Sequence, residues 1–155
     1  MGVFSSMQIP TPGAARAPVP SEVPVAGLTQ AAAGWFLRSG IQGPSGGVAR
    51  YYRVDRGEYR PLSTEITGYA VSFLVYLHRA TGRAGCLEAA LRAGRYLTRS
   101  AWRPGLATMP FECSGEGEFA YFFDLGIIVR GLLALWRRTG EAEFRDVAEA
   151  CGQSM

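Results

Sequence analysis

The chain has 155 residues, 48% of them apolar, enough for one domain with a real core. Its net charge of +3 comes wholly from arginine, since lysine is absent, and the arginines are scattered among 13 acidic residues. No basic stripe forms, which argues against nucleic acid as a partner. Three cysteines, Cys86, Cys113 and Cys151, stand at wide spacings with a single histidine, His78, so no metal-ligand set and no cofactor are expected. Cys86 and Cys151 fall where small apolar residues would serve, as reduced thiols of a cytoplasmic protein do.

Residues 1–27 carry Pro10, Pro12, Pro18, Pro20 and Pro24 among Ala and Ser, and read as a disordered or extended leader. They lack the apolar core of a signal peptide. The longest apolar run, Tyr121 to Trp136, is shorter than the roughly 20 residues that span a bilayer and contains Asp124 and Arg130. No membrane partner is therefore expected.

From Leu28 to about Ser39, Ala31, Ala32, Trp35 and Phe36 make an amphipathic helical stripe, with Trp35 read as core. A long connection follows, Gly40 to Ser63, holding Pro44-Ser45-Gly46-Gly47 and Val48-Ala49-Arg50-Tyr51-Tyr52-Arg53. The glycine pair is not followed by Gly-Lys-Ser/Thr and reads as a turn rather than a phosphate cradle. Ser63 and Thr64 can cap the next helix, Ile66 to about Ala80, whose apolar residues cover most of its circumference. Thr81-Gly82 ends it, and Arg83 to about Ser100 forms a second, more polar helix.

This unit returns. An offset of 58 positions lays Gly68, Leu74, Leu77, Arg79, Thr81, Gly82, Ala90 and Gly94 on Gly126, Leu132, Leu135, Arg137, Thr139, Gly140, Ala148 and Gly152. A second long connection, Ala101 to Ala120, separates the copies, and the acidic Gly115-Glu116-Gly117-Glu118 within it reads as a solvated turn. The second unit comprises a helix from Tyr121 to about Arg138 and one from Glu141 to Met155, which reads as cut short. The fold expected from the repeat is all-α, repeated αα-hairpins forming part of a ring over residues 28–155. Both long connections would then lie on one rim, beside the amino-terminal ends of the apolar helices, where function belongs.

The two Thr-Gly hairpins, the Ala-Gly-x-aromatic-Leu pattern of Ala33–Leu37 and Ala93–Leu97, and the segments Gly46–Tyr52 and Pro110-Phe111-Glu112 resemble the six-hairpin glycosidase-like superfamily of (α/α)6 toroids. That resemblance implies carboxylate acid/base chemistry on a saccharide by a hydrolase, lyase or epimerase. Only about two and a half hairpins are present, so either the chain leads a longer protein or open edges drive self-association. A non-catalytic helical scaffold and a terpenoid-cyclase-like toroid share the pattern, though no Asp-rich motif supports the latter.

Paired carboxylates are the requirement for that chemistry, and the rim offers Glu65, Glu112 and Asp124. Helix capping explains Glu65 and Asp124 equally well, whereas Glu112 has no helix to cap. Tyr51, Tyr52, Trp102, Phe111 and Tyr121 offer flat faces to a sugar, and Arg50 and Arg53 would favour an acidic one. Ion pairing with Asp55 or Glu58 would occupy those arginines as well. Arg130, within an apolar helix, requires a partner such as Glu65 or a bound ligand.

Overall fold

The computed structural model describes residues 24–113 and 119–155. The expected leader thus lies outside the described residues up to position 23, as does the acidic glycine-rich segment 114–118. Helix α1, Val25–Arg38, starts directly after Pro24, within the stretch assigned to the leader. After it, β1 (Val48–Arg53) and β2 (Glu58–Ser63) form an antiparallel pair, with Val48 opposite Ser63 and Tyr52 opposite Tyr59.

This sheet overturns the all-α expectation. The architecture is mixed, with five α-helices and one two-stranded sheet among the described residues, rather than a succession of helical hairpins. The strands hold because Tyr52 and Tyr59 pack ring to ring, 4.8 Å between centroids, and because Gly57 takes the positive φ of 64° that the turn requires. Pro61, which has no N–H, lies opposite Arg50, where the ladder has no pairing to lose on an edge strand.

Helix α2, Thr64–Thr81, follows β2 without a linker. Ser63 Oγ accepts from the Ile66 N–H at 3.3 Å and starts it; Gly82, left-handed at φ 70°, stops it. Helix α3, Ala84–Arg95, runs back along α2 and is prolonged by a π-helical turn over Tyr96–Ala101. Helix α4, Phe122–Thr139, is stopped by Gly140 as α2 is by Gly82, and α5, Ala142–Gln153, packs against it.

The core lies between these helices. Leu74, Leu77, Leu97, Ile128, Leu132, Leu135 and Phe144 are fully buried. Each removes enough apolar surface from water to contribute roughly 1.5–3 kcal/mol. At the crossing of α2 and α4 the backbones touch: a Cβ on Gly131 would lie 2.6 Å from the Gly68 carbonyl oxygen. No described helix is long and apolar enough to cross a membrane.

Neither α2 nor α4 is enclosed on all sides as their composition suggests. Tyr69, Phe73 and Tyr76 of α2 and Phe122 and Phe123 of α4 are exposed, and Trp35, read as core, is 57% exposed. An i, i+4, i+7 aromatic stripe is the same in sequence whether it meets a neighbour or solvent.

Candidate functional site

The two long connections meet at the start of α2, where three hydroxyl residues, Ser63, Thr64 and Thr67, join them. Ser63 pairs with Glu112 in an isolated antiparallel β-bridge, and the Thr64 N–H donates to Phe111 O at 3.1 Å. Thr64 Oγ1 donates to Pro110 O at 2.8 Å. One turn on, buried Thr67 accepts from the Val48 N–H at 2.9 Å while donating to Ser63 O at 2.6 Å. Strand β1, helix α2 and the 110–112 segment are therefore fixed to one another by groups with no access to water.

Around this joint the carboxylates gather. Glu112 pairs with Arg50 at 3.3 Å, and the Arg50 guanidinium lies over the Phe111 ring, 4.6 Å from its centroid. Phe111 in turn meets Tyr121 edge to face at 5.7 Å. Glu65 and Asp124 occupy the first turns of α2 and α4. Asp124 is only 7% exposed, and its Oδ2 has no hydrogen-bond partner among the described residues. Burial pushes its proton affinity above that of an ordinary aspartate; the charge of Glu65 adds to this and Arg50 opposes it. Glu65 and Arg50 thus both lie within electrostatic reach of Asp124, and the same guanidinium holds Glu112.

Beside Glu112, a small cavity of about 180 Å³ is lined by Pro61, Leu62, Tyr96 and Cys113. Burial and a hydrogen bond with Cys113 raise the affinity of the Tyr96 hydroxyl for its proton. Gly46 and Gly47 are pressed against α3, the first on the Arg92 backbone and the second on the Tyr96 ring. Neither position has room for a Cβ, so both glycines serve close packing.

The remaining sequence candidates are dispersed. Arg50 takes Glu112 as its partner, not Asp55 or Glu58, and Arg53 pairs with Asp55 at 2.8 Å. Tyr51 and Tyr52 are half exposed on β1, the latter occupied by Tyr59. Trp102 packs partly buried against the core, and no described contact ties it to the carboxylates. Arg130 is exposed rather than buried, and its guanidinium stands 5.7 Å from the Tyr69 centroid instead of pairing with Glu65. Phe119, Phe122 and Phe123, all exposed beside Tyr121, were not singled out from the sequence. The aromatic run Phe119 to Phe123 was the available signal. Among the described residues no group of His, Cys, Asp and Glu is arranged to hold a metal ion.

Comparison by sequence and by fold finds no matching family model, no matching curated protein and no matching solved structure.

Proposed function

We propose that Asp124, Glu65 and Glu112 form an acid/base site acting on a saccharide, with Asp124 as the proton donor. The observation that carries this reading is the sequestered Asp124 carboxyl, its proton affinity raised by burial and by the Glu65 charge, with one oxygen unpartnered among the described residues. Two carboxyl groups whose environments differ in this way divide the roles of acid and base between them. Asp124 gives its proton to the glycosidic oxygen as the C1–O bond breaks, and Glu65 takes a proton from the water that attacks C1. Glu112 pairs with Arg50 and positions that guanidinium.

The saccharide class rests on the resemblance to the six-hairpin glycosidase-like superfamily and on the flat faces of Phe111 and Tyr121 at the site. Arg50 suits a sugar that carries a carboxylate. The test is release of the aryl alcohol from a panel of neutral aryl glycosides and aryl uronides, with ligand-detected NMR for binding. Asp124→Asn should lower turnover by about 10²-fold or more, the range of one general acid, while binding persists. If no saccharide binds, or turnover is untouched by Asp124→Asn and Glu65→Gln, the reading is wrong.

A further inference from the structure

A groove of about 660 Å³ lies between α1, α2 and α4, with Ile66 in its lining. Its walls are Trp35 and Phe36 from α1, Tyr69, Phe73 and Tyr76 from α2, and Ala134 from α4. Ile41 and Val48 also line it, so it is built from the connection and from β1 as well as from a furrow between helices. Two polar side chains interrupt the apolar lining, Ser72 and Arg130. We propose that this groove binds a small anionic amphiphile, with its planar apolar body on the aromatic walls and its anionic group at Arg130.

Exposure identifies the walls as unused surface. Trp35 is 57% and Tyr76 55% open to solvent, and Phe73 is held edge to face on Phe36, 6.4 Å between centroids, so the aromatic wall is already arranged. Contiguous aromatic surface of this kind marks an interaction site rather than scattered surface residues. The volume falls within the roughly 300–1,000 Å³ of small-molecule sites.

Charge decides the ligand's polar end. Arg130 lies over Tyr69 and has no carboxylate partner among the described residues, whereas Arg50, Arg53, Arg95, Arg99 and Arg145 each have one. A bidentate anion would complete it at little ordering cost, because the ring already restrains the guanidinium. Beyond Ala134, Arg79, Arg137 and Arg138 line the neighbouring cavity and extend the positive potential. Ser72 adds a hydroxyl without a hydrogen-bond partner among the described residues. One guanidinium and one hydroxyl set in an aromatic wall fit a small molecule better than a long acidic helix, which would need charges along its length. None of these residues belongs to the acid/base cluster, so this proposal stands or falls separately from it.

Two probes with the same ring system separate the terms: 1-anilinonaphthalene-8-sulfonate, which carries the anion, and N-phenyl-1-naphthylamine, which does not. With the full chain, both should saturate at one per chain by fluorescence, the sulfonate binding roughly tenfold tighter, as one charge-assisted contact provides. Arg130→Gln should remove that advantage and leave the naphthylamine unchanged, which also shows that the variant is folded. Tyr76→Ser should weaken both probes with an unaltered near-ultraviolet dichroism spectrum. Sulfonate binding that survives Arg130→Gln, or that never saturates, overturns the proposal. So does a light-scattering mass of two chains with probe uptake only on dissociation, which would give the groove to a second copy.

Discussion

Glu65 and Asp124 begin successive long helices, and the charge of the first raises the proton affinity of the second. Because Asp124 holds its proton more tightly folded than unfolded, the folded state binds more protons in the window above the ordinary aspartate value. Stability therefore falls as pH rises through that window, and the deficit persists at neutral pH. Asp124→Asn should stabilise the protein at pH 7 relative to the parent and lose that advantage near pH 3. Urea unfolding at the two pH values is the measurement, and a difference between the proteins that does not change with pH would contradict it. Glu65→Gln should reduce the pH dependence without abolishing it, since burial is the larger cause.

The same two helices touch through glycine. An added Cβ at Gly131 would meet the Gly68 carbonyl oxygen at 2.6 Å, backbone that cannot move aside without shifting the helix. Gly131→Ala should cost about 1–3 kcal/mol by overpacking despite its better helix propensity. Gly126, by contrast, has only the far end of Met155 at 3.9 Å, so Gly126→Ala should be neutral or stabilise by up to about 1 kcal/mol. Thermal melts of the pair decide this, and equal effects would remove the crossing argument.

Gly126 is the repeat equivalent of Gly68, yet only Gly68 stands in the helix contact, and here sequence reading meets its limit. What it recovers is local chemistry. The Thr-Gly stops at Gly82 and Gly140 depend on a left-handed residue at a helix end, and Ser63 caps through its own hydroxyl. That Glu65 and Asp124 open successive long helices was also legible, because each follows a long connection at nearly the matching place in the repeat. The β-hairpin was not. Its burial does not alternate along β1, where Val48 and Ala49 are both buried and Arg50 to Tyr52 are all exposed. A period of two was therefore missing from the sequence, although Tyr52 and Tyr59 flanking Asp55-Arg56-Gly57 carried the turn signal. Arg130 was misplaced for a related reason, since a helix apolar over most of its length conceals which side is left open.

Thr67 is the joint between strand and helix, accepting from the Val48 N–H and donating to Ser63 O while fully buried. Thr67→Val keeps the shape but leaves both backbone groups without that partner, at a cost of about 1–3 kcal/mol. Hydrogen exchange should show the loss locally, with the Val48 amide losing protection before amides of α5. Uniform loss across the chain would mean that the joint carries no special weight.

Glu143 fastens the first turn of α5 to the π-helical turn after α3. It accepts from Thr98 Oγ1 at 2.6 Å and from Arg99 at 2.9 and 2.8 Å. The hydrogen bond from Arg99 is the main cause that holds its carboxyl down to about 2, with Thr98 adding to it and partial burial opposing. A lowered folded value means stability that is complete above the ordinary glutamate range and is lost as pH falls toward about 2. Nearly a third of the side chain is open to solvent, which screens the pair, so Glu143→Gln should cost only about 1 kcal/mol at pH 7, or a fall in Tm of ~2–4 °C. Near pH 2 the gap between the parent and Glu143→Gln should shrink well below its pH 7 size, because the parent's carboxylate is then about half protonated in the folded state and almost wholly so in the unfolded one. The comparison requires melts at both pH values and again at high salt, where the gap at pH 7 should narrow. A gap at pH 7 that persists undiminished at pH 2 would assign the effect of Glu143 to packing rather than to charge.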